Sequence, residues 1–157
     1  MAAEVKREQV ITIRTMRSGD AAPVSAILRE APEAVFWPEF SVNEVMGWQG
    51  ALALVSETGG TITGFLIGRQ ATDEAEILNL AVEKGCRRVG HGAALLRSAE
   101  GEFRGRGVTR LFLEVRESNL AGIAFYKRHD FSTTGRRPAY YREPEEAALV
   151  MEKKLAG

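Results

Sequence analysis

A chain of 157 residues falls in the size range of a single domain, and its 45% apolar and 27% charged content suffices for a packed core. Nothing in it reaches the ~18 consecutive apolar residues of a membrane-spanning helix, and the single cysteine, Cys86, excludes a disulfide framework or a cysteine-built metal site. The 21 basic and 21 acidic residues cancel, which argues against a generic nucleic-acid binder. The balance is nevertheless uneven. Residues 1–83 carry 6 Lys/Arg against 12 Asp/Glu, residues 84–128 carry 10 against 4, and residues 129–157 carry 5 of each. Ordinary solvated faces would give this pattern, and so would two sites of opposite electrostatic demand. Only motifs can separate the two.

Residues 10–14 (VITIR) alternate and are β-branched, the pattern of a strand. Gly19-Asp20 then opens a helix through about Ala31, with Asp20 as its N-cap. Pro32, Trp37 and Pro38 interrupt the chain, and Ser41 is expected to cap a short helix to about Trp48. Residues 51–55, the Gly59-Gly60 turn and residues 62–69 read as a hairpin, and residues 76–82 as a further strand. Between Gly90 and Arg104 the apolar Ala94, Leu95, Ala99 and Phe103 follow helical spacing. Residues 109–115 are apolar on both faces, as where helices cover a sheet. A short helix over residues 119–128 and two strands, from Phe131 onward and over residues 147–153, complete the chain. The order βααβββαβαββ is mixed α/β. It predicts one domain over residues 1–157, with residues 1–9 a flexible N-terminal segment. That segment (MAAEVKREQ) lacks the apolar core of a signal peptide, which points to the cytoplasm.

The sharpest local signal is Arg87-Arg88-Val89-Gly90-His91-Gly92-Ala93 at a helix start. Two glycines let the backbone approach a ligand, a helix N-terminus offers unpaired N–H groups and a positive dipole end, and two arginines add charge. Such a turn suits a phosphate or pyrophosphate, although a tight strand-to-helix turn that binds nothing has the same residues. A Walker loop would need Lys-Ser/Thr where Ala93-Ala94 stand. A dinucleotide fingerprint would need a third glycine where Leu95 stands, and its glycines directly after the strand.

Arg-x-x-Gly-x-Gly after a strand ending in Leu80-Ala81-Val82 resembles the coenzyme A site of GNAT-type acetyltransferases. Residues 113–119 (LEVRESN), then Ala124-Phe125-Tyr126 and Phe131, are similar to that family's final catalytic strand and helix. The run from Asp73 to Met151 is particularly similar to its RimI-type branch, which acetylates the N-terminal alanine of a ribosomal protein. The first 70 residues match in element order alone. The resemblance implies a single mixed, mostly antiparallel sheet with a splayed central parallel strand pair and helices on both faces. It implies acetyl-CoA as acyl donor and cosubstrate. Leu80, Ala81 and Val82 would present backbone to the pantetheine arm, and Arg88, Val89, Gly90, His91, Gly92 and Ala93 would cradle the pyrophosphate. His91 itself is expected to face solvent or phosphate. Asn119 would bond the cofactor, a role compatible with capping a helix. Glu114 and Tyr126 match the family's general base and general acid.

Protonation cost weighs on the acceptor. An α-amine, of pKa ~7.7–8.0, gives up its proton at pH 7 for roughly 1 kcal/mol, a lysine, of pKa ~10.4, for roughly 4.6 kcal/mol. One glutamate with no second base in view therefore suits a protein or peptide N-terminus, with a small-molecule amine or a lysine as the rival acceptor. Tyr140-Tyr141 resembles the paired tyrosines that line the peptide groove of N-terminal acetyltransferases, and Trp37, among Glu30, Glu33 and Glu39, falls where GNAT acceptor sites are commonly built. Two departures stand out. Asp130 replaces the usual glycine before Phe131, and Gly122 replaces a common alanine at a helix-propensity cost of ~1 kcal/mol. No metal, nucleic-acid or membrane partner is expected, and the chain is expected to be a monomer or weak homodimer.

Overall fold

A computed structural model describes residues 10–155; the segment 1–9, expected to be flexible, lies outside the described residues. The elements are β1 (Thr12–Thr15), α1 (Ala21–Arg29), α2 (Glu39–Met46), β2 (Ala51–Thr58), β3 (Thr61–Ala71), β4 (Glu74–Val82), α3 (His91–Gly105), β5 (Arg110–Arg116), α4 (Leu120–Arg128), β6 (Ser132–Arg142) and β7 (Glu145–Lys154). This is the order read from the sequence. The seven strands form one sheet in the order β1-β2-β3-β4-β5-β7-β6. Every neighbouring pair is antiparallel except β4 and β5, which run parallel.

Strand alternation sends side chains to two cores, one on each face. On one face, Leu52, Leu54, Leu66, Leu111 and Leu113 pack with Leu95, Ala99 and Phe103 of α3 and Ile123 of α4. On the other, Ala53, Val55, Phe65 and Ile67 meet Val24, Ile27 and Leu28 of α1 and Val42 and Val45 of α2. Helices therefore cover both faces. Gly68 permits a close approach of α3 to the sheet: a Cβ there would stand 3.0 Å from the Phe103 ring.

One irregularity organises the centre of the sheet. Ile67 pairs with Asn79 while its neighbour Gly68 pairs with Ile77, so Leu78 is an extra residue in β4. A bulge reverses which face each later residue takes and bends its strand. Ala75 and Ile77 belong to the α3 face, whereas Ala81 belongs to the α1/α2 face. The pairing of β4 with β5 spans Glu74↔Arg110 to Ile77↔Leu113 and stops at the bulge. Beyond it the two strands part.

Two local expectations are corrected. Asp20 stands at the N-cap position of α1, as expected, but its carboxylate makes no capping bond to that helix. It accepts the Arg17 backbone N–H at 2.7 Å and pairs with the Arg14 guanidinium, which also reaches Glu57. Ser41 lies inside α2, whose N-cap is Pro38 in extended conformation. The two departures also find reasons. Asp130 adopts φ 71°, the left-handed turn that a glycine would take. A Cβ on Gly122 would stand 2.5 Å from the Asn119 side chain, so this glycine leaves room for a cap.

Candidate active site

Where β4 and β5 part, a cleft of about 280 Å3 opens. Its walls are the separated strands, the loop between α1 and α2, Asn119 and Tyr126 at α4, and the β6–β7 hairpin. It brings together Trp37, Leu80, Glu114, Asn119, Tyr126, Tyr140 and Tyr141, which lie far apart in sequence. Ala81, Val82 and the turn from Arg88 to Ala93 do not line it; they stand at the end of β4 and the start of α3.

Glu114 sits on β5 between the buried Leu113 and Val115, on the face away from them. Its side chain is only 9% exposed, and Oε1 lies 3.4 Å from Nε of Arg137. The other oxygen, Oε2, is buried without a hydrogen-bond partner. A buried carboxylate oxygen left open is costly for folding alone. Tyr140 reaches this carboxylate because β6 is irregular: Arg137 pairs with Ala148 but Tyr141 pairs with Glu146, and Ala139 adopts φ 52°. The extra residues around Pro138 push the two tyrosines over the cleft. Donating its hydroxyl to Glu114 pushes Tyr140 up to about 12, with burial adding to the effect. Tyr141 stacks edge-on against Tyr140 and carries the Arg116 guanidinium 4.1 Å from its ring centroid.

Tyr126 packs against the first of the two cores, its ring edge-on to Phe125 and Phe131. Burial raises the pKa of its hydroxyl well above the ordinary phenol value, so it stays protonated. Asn119 caps α4, its Oδ1 accepting the Gly122 N–H at 2.9 Å. On the opposite wall, the α1–α2 loop is pinned at three places. Ser25 Oγ donates to the Trp37 carbonyl at 2.9 Å, Asn79 Nδ2 to the Val35 carbonyl at 2.9 Å, and Glu33 pairs with Arg87 at 3.0 Å.

Sequence reasoning missed Glu76. It lines the same cleft, and burial followed by the Glu114 charge raises its pKa. Only the parallel register, which sets Glu76 beside Phe112, brings it near Glu114.

The backbone beside the cleft has its own chemistry. Glu83 N–H bonds the Thr63 carbonyl on β3 at 2.7 Å. Antiparallel alternation then directs Ala81 to β3 as well, and turns Leu80 and Val82 toward the gap left by β5. Of the three residues expected to meet a cofactor, Ala81 thus spends its backbone on the sheet and is itself buried. Gly90 caps α3 with φ 94° and Arg88 adopts φ 64°. The first N–H groups of α3 have no helical acceptors, as at any helix start. A Cβ on Gly92 would stand 3.4 Å from the Phe125 ring, in ordinary contact with α4. The expectation that His91 faces solvent is corrected: its side chain is buried, with Nδ1 2.8 Å from Thr63 Oγ1.

The family model described as Acetyltransferase (GNAT) family matches residues 22–131. The chain belongs to the GNAT acetyltransferase family. It is 32% identical over 146 residues to an uncharacterized N-acetyltransferase of Methanocaldococcus jannaschii, covering 90% of this chain and 91% of that protein. It is also 32% identical over 142 residues to the [ribosomal protein bS18]-alanine N-acetyltransferase of Escherichia coli, covering 89% and 95%. The crystal structure of that enzyme superposes with a TM-score of 0.81 at 30% identity, over 94% of this chain and 96% of the other. Ard1 from Thermoplasma volcanium superposes with a TM-score of 0.86 at 27% identity, over 94% and 99%.

The GNAT family transfers an acetyl group from acetyl-CoA, and the residues present suit that donor. Two strand residues face an unpaired gap, and beyond them lies a helix start flanked by Arg87 and Arg88. Pantetheine needs amide partners and pyrophosphate needs donors of positive potential. As a GNAT member the protein is an N-acetyltransferase. Among the described residues, no group of three or more His, Cys, Asp and Glu is placed to hold a metal, and no helix is long and apolar enough to cross a membrane.

Proposed function

We propose that the protein acetylates the α-amino group of a protein N-terminus, with acetyl-CoA as the donor. The observation that carries this reading is the pair Tyr140 and Tyr141, pushed by the β6 irregularity over a cleft whose floor holds Glu114. They stand opposite the pinned loop of Trp37, so an extended peptide end would run between two walls toward the carboxylate. The E. coli relative named for alanine N-acetylation of a ribosomal protein supports the same acceptor class.

In this reading Leu80 and Val82 hold the pantetheine arm with their backbone, and Arg88, Gly90, Gly92 and Ala93 surround the pyrophosphate. Val89 contributes backbone only, its side chain being exposed. Asn119 serves the cofactor from the same place at which it caps α4. Glu114 removes the proton from the incoming ammonium, and the neutral amine attacks the thioester carbonyl. A backbone N–H of β4 steadies the oxyanion that forms. As the C–S bond breaks, Tyr126, held protonated by burial, gives its proton to the departing thiolate and is reprotonated by the second proton that the acetylated nitrogen sheds.

Steady-state kinetics with acetyl-CoA and short peptides bearing N-terminal alanine or serine test the acceptor class. Turnover on these, with little on polyamines or on lysine in blocked peptides, is expected. Turnover confined to lysine or small amines would replace this reading by its rival.

A further inference from the structure

The proposed chemistry leaves unused a buried chain of three polar side chains beneath the glycine turn. Ser56 on β2, Thr63 on β3 and His91 at the first position of α3 are all buried. Ser56 Oγ lies 3.0 Å from Thr63 Oγ1, which lies 2.8 Å from His91 Nδ1, and Thr63 Oγ1 also reaches the Ser56 carbonyl at 3.3 Å. Gly64 makes this approach possible, since a Cβ there would stand 2.9 Å from Ser56 Oγ and 3.2 Å from Leu95.

Thr63 holds the Glu83–His91 connection at both ends. Its carbonyl accepts the Glu83 N–H at 2.7 Å where the chain leaves β4, and its hydroxyl bonds His91 where the chain enters α3. Between these points the chain turns through left-handed Arg88 and Gly90. The other bonds of this connection, from Arg87 to Glu33 and to the Val82 carbonyl and from Cys86 N–H to the Glu83 carbonyl, all lie before the two left-handed residues. The His91 side chain hooks the chain into the sheet just after them.

We propose that His91 is a positioning residue for donor binding: hooked to Thr63, it fixes the α3 turn in the form that holds the coenzyme's pyrophosphate, without itself touching the coenzyme. The inference rests on the reading that this turn is the pyrophosphate site.

The test compares two donors on the full-length protein, acetyl-CoA and S-acetylpantetheine, which keeps the thioester arm but lacks the pyrophosphate and nucleotide. His91→Leu removes the bond to Thr63, and Thr63→Val removes that bond together with the contacts to Ser56; each should raise KM for acetyl-CoA about tenfold. Their kcat and their KM for S-acetylpantetheine should stay at the wild-type values. His91→Asn, whose amide can stand where Nδ1 stood, should retain the wild-type KM for acetyl-CoA. If leucine unseats the helix, the nearly isosteric Thr63→Val reads the same contact from the strand side. Equal KM rises for both donors, or a lowered Tm with both KM values unchanged, would overturn the positioning role. A wild-type protein that uses both donors with equal KM would instead show that the turn holds no pyrophosphate, and the underlying reading would fall first.

Discussion

The two sides of the parted strands are built by different means. On the side proposed for the donor the groups are backbone: Leu80 and Val82 facing a gap, and the first turn of α3, where His91 bonds Thr63. On the side proposed for the acceptor they are side chains on irregular supports: Trp37 on a loop pinned at three places, and Tyr140 and Tyr141 on a bulged edge strand. Strand β6 is exposed along nearly its whole length, whereas α3 buries Leu95, Leu96, Ala99 and Phe103. A donor common to a whole family can be held by features that tolerate little change. An acceptor that differs between members calls for side chains on segments whose replacement leaves the core intact.

That contrast can be broken at its centre first. Glu114→Gln should lower kcat by ~10²- to 10⁴-fold with KM for acetyl-CoA unchanged, as expected of a proton-transfer group. Tyr126→Phe should cost toward the lower end of that range, again in kcat; unchanged turnover would reject its role as the acid. A smaller and one-sided effect is expected of Tyr140→Phe. Losing the hydroxyl that bonds Glu114 should raise KM for the peptide several-fold and leave KM for acetyl-CoA alone. A change confined to the donor would dissolve the division between the two sides. Asn119→Ala stands at the seam and should lower stability by ~1 kcal/mol through the lost cap, or Tm by about 3 °C, whatever it does to donor binding.

The smallest effect is a pH dependence of stability. Burial holds the pKa values of His91 and His129 below 6.5, so the unfolded chain takes up these protons first as pH falls. Their contribution is complete above 6.5 and is lost as pH drops through and below that value. The raised pKa of Glu76 acts with the opposite sign, strengthening the fold as pH falls. Thermal melts of wild type and His91→Asn across this range separate the two. The wild type should lose more Tm than the variant on acidification, and parallel curves would remove His91 from the account.

Much of the fold was legible because its signals are local. The apolar runs of β2 and β3 on either side of Gly59-Gly60 and the helical spacing in α3 depend on neighbours within a few residues, and the element order followed from such signals. Of the candidate site, the motif-borne Glu114 and Tyr126 meet in one cleft, while the glycine turn stands apart from it at the start of α3. The site was not legible where tertiary contact decides. Glu76 joins Glu114 only through the parallel register of β4 and β5. The direction of His91 depends on a hydroxyl 28 residues earlier, and a histidine in a loop motif gives no sign that such a partner awaits it. The reach of Tyr140 depends on extra residues in β6 that no periodicity marks. Asp20 looked like a cap because of its position, yet the stronger partner, Arg14, lay on β1.

The bulge at Leu78 has a consequence for the protein outside catalysis. By ending the β4–β5 ladder early it leaves bare strand edges in the middle of a seven-stranded sheet. Exposed edges are where foreign strands add, and proteins guard them at the rim of a sheet with charge or short length. Here the rim strand β6 has Arg136, Arg137 and Pro138, while the inner edge has only the cleft walls to cover it. A donor whose amide-bearing arm pairs with β4 closes that gap. At a hundredfold excess over its Kd, such a ligand stabilises the fold by about 2.7 kcal/mol. Saturation with the acyl donor should therefore suppress aggregation on storage and heating, so that the substrate doubles as the protein's own stabiliser.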